Sequence, residues 1–295
     1  MRKKLMLILN PNAGKRGGVM STGSILKILC KGGYTPTVFY TEGPRAATEL
    51  VLQHGMQYDC ITCVGGDGTL SETVAGLVQL ANPPVLGYIP LGTANDVATT
   101  LKLPKNSSKA TKRILQGKPV PLDVGKFNET EYFTYIAAFG AFTDVSYETT
   151  HEQKQNLGHL AYVLQGMAQL SKIQHFKTKV EYDGGFVEGD YIFGSVSNSK
   201  SVAGMVKLSD DDVSLDDGEF EVILVKNPAN VIEMNQIIAN VLARNFNTNK
   251  ISIFHSKKVK FTFEKPAKWT RDGETGGVHQ HVQIENIYRP IQIIV

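Results

Sequence analysis

The sequence has few cysteines, no long apolar run and almost no net charge. Three cysteines in 295 residues exclude a fold built on disulfides. No stretch approaches the roughly 20 apolar residues that span a bilayer. The opening Met1–Leu9, basic and then apolar, imitates a secretion signal, but its apolar run stops at Asn10-Pro11, short of an h-region. The expectation is therefore a soluble cytoplasmic protein, in which the sequons at Asn106 and Asn128 carry no meaning. A formal charge of +3, from 31 Lys and Arg against 28 Asp and Glu, excludes a strongly basic nucleic-acid binder and an acidic disordered tail. Also missing are an internal repeat, a low-complexity segment, a Walker A spacing and a G-x-G-x-x-G fingerprint.

The small net charge hides an uneven distribution. Residues 1–122 hold 14 basic and 6 acidic side chains, a net of +8; residues 123–295 hold 17 basic and 22 acidic, a net of −5. Two halves of opposite sign suggest two domains, 1–122 and 123–295, one meeting an anion and the other a cation. The last residues, Ile291 to Val295, are also compatible with a return to the first domain.

The first half alternates two periods. Leu5–Leu9, Val38–Thr41, Ile61–Val64 and Val85–Ile89 are short apolar runs. Between them Ala46, Ala47, Leu50 and Val51 share one helical face, and Leu70, Val74, Leu77 and Val78 share another. Apolar strands separated by helices imply a parallel sheet covered on both sides. The second half changes texture. Val259, Phe261 and Phe263 alternate with Lys258, Lys260, Thr262 and Glu264, the mark of a half-buried strand. Asp217-Gly218 ahead of Phe220–Val225 reads as a hairpin turn. Two helical patterns interrupt, near Leu157–Leu170 and Val231–Arg244. The fold class is α/β: a Rossmann-like N-terminal domain followed by a β-rich sandwich domain.

In a doubly wound sheet, ligands bind beyond the carboxyl ends of the strands. There the sequence places Asn10-Pro11-Asn12-Ala13-Gly14-Lys15, Gly65-Gly66-Asp67-Gly68-Thr69 and Pro90-Leu91-Gly92-Thr93-Ala94-Asn95-Asp96. Glycines let a backbone approach a ligand closely, and helix N-termini attract anions. Three such loops on one edge suit a polyphosphate, whereas any one of them alone reads as an ordinary turn. Asp67 is out of character beside phosphate unless it binds Mg²⁺ or accepts a proton from a hydroxyl.

These motifs together resemble the diacylglycerol kinase catalytic family, in its soluble bacterial lipid-kinase branch. The resemblance rests on Asn-Pro-x-Ala-Gly at 10–14, Gly-Gly-Asp-Gly-Thr-Leu-x-Glu at 65–72 and Leu-Gly-Thr-Ala-Asn-Asp at 91–96. It continues through Asp123-Val124-Gly125, Ala138-Phe139-Gly140, Leu215-Asp216-Asp217-Gly218 and Asp272-Gly273-Glu274. It implies a nucleotide domain, a β-rich domain and an active site in the cleft between them. It also implies ATP as phosphoryl donor, Mg²⁺, and a lipid hydroxyl as acceptor, with diacylglycerol the first expectation.

By the same resemblance, Asn10, Asn12, Gly14, Thr41, Gly66, Asp67, Gly68, Thr69, Leu70, Ser71, Glu72 and Thr93 line the ATP site. Asp217, with the carbonyls of Ser214 and Glu219, holds a structural Mg²⁺, although the residues alone equally support an acidic hairpin turn. Asp272, Glu274 and Asp67 remain alternative candidates for the base. Two positions depart from the family: Ser71 stands where Asn is frequent, and Glu219 where an aromatic is frequent. The acceptor meets the protein at a membrane surface, by peripheral contact and transient association. No nucleic-acid partner is expected, and a homodimer is left open. The alternatives are a kinase for another lipid, an NAD-kinase-like enzyme, disfavoured because no Thr-Pro-Thr-Gly-Ser-Thr-Ala-Tyr-type segment is present, and a catalytically silent nucleotide or lipid sensor.

Other signals weigh less. Cys60-x-x-Cys63 lies in a predicted strand, where i and i+3 face opposite ways, so it reads as two buried thiols. His279 and His281 share a strand face without a third ligand in view. Phe133–Phe142 reads as core or acceptor lining. The basic segment Lys102–Lys118 reads first as a solvated helix face, and second as a face for anionic headgroups.

Overall fold

The computed structural model describes residues 2–13, 22–92, 95–140, 174–198, 201–202, 206–207, 216–243, 245–246 and 248–295. The helix expected near Leu157–Leu170 lies outside them, as do Gly14, Thr93 and Ser214. Contacts divide the chain into one unit of Met1–Val124 with Ile287–Val295, and a second of Gly125–Asn286.

The first unit is built on four parallel strands, β1 (Lys3–Leu9), β2 (Tyr34–Tyr40), β3 (Cys60–Gly65) and β4 (Val85–Pro90), in the order β4-β3-β1-β2. Near the end of the chain, Ile293 pairs in parallel with Leu86 of β4. The helices are α1 (Thr22–Lys31), α2 (Ala46–His54), α3 (Asp67–Leu77), the short α4 (Asp96–Thr100) and α5 (Ser107–Gln116).

The two-residue period of the strands sends alternate side chains to two helical layers. Leu5, Leu7 and Leu9, with Cys60, Val64 and Ile89, pack with Ile25 and Leu29 of α1 and Ala110 and Ile114 of α5. On the other layer α2 and α3 lie close together: a Cβ on Gly76 would come within 2.7 Å of Val51. Cys63 lies against Thr73 of α3. The two cysteines of the C-x-x-C therefore face opposite layers, as the strand period requires.

Burial pushes the Cys60 thiol up to about 11 and the Cys63 thiol up to about 12, with the Asp67 and Glu72 carboxylates adding to the second. In an unfolded chain both titrate near about 8.5. Above that value the unfolded state sheds protons that the folded state keeps, so stability falls as pH rises; below it, the thiols contribute no pH dependence. Urea midpoints should therefore decline from about pH 9 upward, and a Cys60→Ala, Cys63→Ala variant should decline less steeply. An equal alkaline slope in the two proteins would refute this account.

The second unit is almost all antiparallel. After β5 (Pro119–Phe127) come β6 (Glu131–Phe133), β7 (Ile136–Gly140), β8 (Phe176–Tyr182), β9 (Gly185–Ser197), the short pair β10 (Ser201–Val202) and β11 (Val206–Lys207), and β12 (Phe220–Lys226). Then follow α6 (Val231–Leu242), β13 (Ile251–Ser256), β14 (Lys258–Arg271) and β15 (Glu274–Ile294). The strand order is β13-β12-β9-β7-β14-β15, with β8 pairing both β9 and β14. The inward positions of β14 are Val259, Phe261 and Phe263, as their alternation predicts. They join Phe127, Phe133, Phe139, Phe176 and Trp269 in one core. Phe139 meets Phe263 edge-on at 4.9 Å and lies 5.1 Å from Trp269. Such tilted and edge-to-face pairs suit the ring quadrupoles.

Candidate active site

The carboxyl ends of β1 to β4 are tied to one another by main-chain bonds. Thr41 N–H donates to the Leu9 carbonyl at 3.0 Å, Asn10 N–H to Val64 at 3.0 Å, and Leu91 N–H to Gly65 at 2.7 Å. Three expected nucleotide segments are thus brought to one edge of the sheet. Asn10 spends its whole side chain here: its Oδ1 accepts from Asn12 N–H at 2.9 Å and its Nδ2 donates to Thr69 Oγ1 at 3.1 Å. The first bond shapes the loop after β1, and the second locks that loop to the first turn of α3.

The glycine loops after β3 and β4 interlock. A Cβ on Gly92 would lie 2.6 Å from Gly66 Cα, and one on Gly66 would lie 3.1 Å from Gly92 Cα. Gly92 has no room for a side chain, and Gly66 has very little. Gly66 caps α3, whose first internal bond runs from Leu70 N–H to the Gly66 carbonyl. Asp67, Gly68 and Thr69 occupy the turn at the positive end of the helix dipole. Leu70 is buried in the helix, and Ser71 is half-buried beside it.

Asn95 clamps the second loop and was not singled out from sequence. Its φ of 53° is left-handed; its Oδ1 accepts from Gly92 N–H at 2.9 Å, and its Nδ2 donates to the Gly92 carbonyl at 2.8 Å. Tyr88 O–H also donates to Asn95 Oδ1, at 3.3 Å. Burial raises the Tyr88 phenol, and the carboxylates of Asp67 and Asp96 raise it further, so it remains a donor. The signal that could have found Asn95 is its residue type, since Asn tolerates positive φ.

Glu72 is engaged by the main chain at the start of α2. Its Oε1 accepts from Arg45 N–H at 2.8 Å and its Oε2 from Ala47 N–H at 3.2 Å. Thr48 Oγ1 also donates to the Glu72 carbonyl at 2.8 Å. Glu72 therefore caps α2 from α3, and it holds the loop after Thr41 against the glycine helix.

In the second unit, Asp217 Oδ1 accepts from Glu219 N–H at 3.0 Å across Gly218, whose φ is 84°. This is an Asx turn, with Asp217 exposed. No group of three or more His, Cys, Asp or Glu side chains that could hold a metal occurs among the described residues.

Asp272 and Glu274 lie on either side of Gly273 in the turn from β14 to β15, yet their environments differ. Asp272 is 4 % exposed. Its Oδ2 accepts from Thr134 N–H at 2.6 Å, and its Oδ1 from Tyr135 N–H at 3.0 Å and Ile136 N–H at 3.1 Å. Its own N–H donates to the Ile136 carbonyl at 2.9 Å. Asp272 is thus a staple that fastens the turn to the start of β7. Glu274 opens β15 with its side chain in solvent.

Comparison with known proteins follows the same two-part division. Residues 4–127 match the diacylglycerol kinase catalytic domain, and residues 138–292 match the YegS C-terminal NAD kinase beta sandwich-like domain. A diacylglycerol kinase of Bacillus subtilis (strain 168) is 33% identical over 99% of this chain and 96% of its own. The chain belongs to the diacylglycerol kinase family. A second relative, the diacylglycerol kinase of Staphylococcus carnosus (strain TM300), is 32% identical over 96% of this chain and 95% of its own. A solved structure of a diacylglycerol kinase from Bacillus anthracis str. Sterne superposes with a TM-score of 0.75 at 25% identity, covering 99% of this chain and 96% of that one. Another crystal structure from the same organism gives 0.82 at 27% over the same shares. As a member of the diacylglycerol kinase family, the protein is a phosphotransferase with an alcohol group as acceptor. No helix among the described residues is long and apolar enough to cross a membrane.

Proposed function

We propose that the protein transfers the γ-phosphoryl group of ATP, with Mg²⁺, to the free hydroxyl of diacylglycerol, giving phosphatidic acid. The observation that carries this reading is the interlock of Gly66 and Gly92 beside the first turn of α3. Bare backbone amides at a helix N-terminus are chemistry suited to a polyphosphate. Asn10, Asn12 and Thr69 shape the loops around it, Glu72 steadies them, and Gly14 and Thr93 complete the proposed set outside the described residues.

Phosphoryl transfer relies on positioning and charge stabilisation, with little covalent work for the protein. The acceptor hydroxyl still needs its proton taken, and we assign that task to Glu274, whose carboxylate is exposed, while Asp272 is engaged by three amides. Asp67 is assigned to the charge of the bound nucleotide. Asp217 and the Glu219 carbonyl lie in one Asx turn, and with the Ser214 carbonyl they would offer Mg²⁺ the all-oxygen donors it prefers, so the chemistry of these residues fits the ion. When bound there, the ion would brace this loop as a structural cation.

The deciding assay supplies γ-labelled ATP and Mg²⁺ with diacylglycerol in mixed micelles, beside NAD and sphingoid or glycolipid acceptors. Label on diacylglycerol is the expected result. Label on NAD alone, or on no acceptor, would sink the proposal; label confined to another lipid would keep the kinase and replace its substrate.

A further inference from the structure

The basic residues of the first unit are segregated. All but Arg45 of the 14 in residues 1–122 lie within residues 1–41 or 97–122, and neither stretch contains an Asp or Glu. On α5, Lys109, Lys112 and Arg113 follow the i, i+3, i+4 spacing that lines one helical face, and all three are exposed, as is Lys105 just before the helix. The opposite face of α5 buries Ala110, Thr111 and Ile114. On α1, Lys27 and Lys31 are likewise exposed one turn apart. The two helices are neighbours: Ile25, Leu29, Ala110 and Ile114 share one core, and a Cβ on Gly32 would strike Leu115. One helical layer is thus purely cationic, while Glu49, Asp67 and Glu72 belong to α2 and α3, the other layer.

In the second unit, Lys177, Lys179, Lys250, Lys260 and Arg271 each meet a carboxylate. None of the ion pairs among the described residues uses a cation of α1 or α5. A face held this way attracts an extended anionic surface and orients the molecule on it within a Debye length, about 8–10 Å. Two extended anions compete for it, a bilayer and a nucleic acid. Residues 97–122 and α1 contain no Phe, Trp or Tyr, so the stacking platform that single-stranded nucleic acids use is missing.

We propose that the layer formed by α1 and α5 is a docking face for an anionic lipid bilayer. The choice of a bilayer rests on the lipid-kinase reading above. Each cation near an anionic membrane strengthens binding by roughly fivefold, so removing three weakens it by about a hundredfold.

The test is vesicle flotation of the full chain with phosphatidylcholine vesicles, with and without phosphatidylglycerol, for the wild type and for K109Q/K112Q/R113Q. Wild-type protein should float only with phosphatidylglycerol and detach in high salt, and the variant should lose about a hundredfold in affinity. Thermal midpoints of the two proteins guard against misfolding. Turnover of a monomeric short-chain diacylglycerol, measured in parallel, should be the same for both. Equal binding to the two vesicle types, undiminished binding by the variant, or binding to tRNA in preference to vesicles would overturn the proposal. Charge-dependent flotation without turnover of any acceptor would sustain the docking face and overturn the kinase reading instead.

Discussion

Glu274→Gln should lower kcat by at least about a hundredfold and leave the thermal midpoint unchanged, whereas Asp272→Asn should do its first damage to stability. Gln keeps the size of Glu but cannot accept the proton of an acceptor hydroxyl, and a positioned base contributes about 10²–10⁴ in rate. Glu274 is exposed, so its amide has water for a partner and costs the fold little. At Asp272 three main-chain N–H groups point at the carboxylate in a buried turn. An amide there turns one oxygen acceptor into an NH₂ donor facing donors. Each buried donor left without an acceptor costs about 1–3 kcal/mol, so the variant should unfold several degrees earlier. Measuring kcat and thermal midpoints for both variants separates the roles. A stable Asp272→Asn variant that has lost turnover, beside an active Glu274→Gln variant, would move the base to Asp272.

That distinction marks how far the sequence could be read. The tripeptide Asp272-Gly273-Glu274 stood out as a candidate, but what separates its two carboxylates is that Asp272 has partners 136 to 138 residues away in sequence. No local pattern encodes those. The same holds for Glu72, whose place in the glycine motif suggests a ligand, although its carboxylate caps a helix 25 to 27 residues upstream. The parallel sheet was legible because short apolar runs and helical spacings alternate. The opposite orientations of Cys60 and Cys63 followed from the strand period alone. The meeting of Gly66 with Gly92 was only half visible. Both glycines stood out as strand-end residues, but their contact is a product of the β3–β4 pairing, in which Gly65 opposes Pro90.

That contact makes Gly92→Ala a damaging methyl at the candidate nucleotide loops. The new Cβ would lie 2.6 Å from Gly66 Cα and 2.8 Å from Asn95 Oδ1, and backbone cannot step aside as a flexible side-chain end can. Relief would separate the two loops or break the Asn95 clamp, at a cost of about 1–3 kcal/mol in stability. The larger effect should be on rate, because a displacement of about 1 Å in a positioning element can cost about a hundredfold. If these loops hold the nucleotide, kcat/KM for ATP should fall by about that factor while KM for the acceptor stays within about twofold. Gly43→Ala, near Thr41 in the loop after β2, is the control: a Cβ there has nothing within 4 Å, so its kinetics should match the wild type. A Gly92→Ala enzyme with unchanged kcat/KM for ATP would remove the interlocked loops from the nucleotide site.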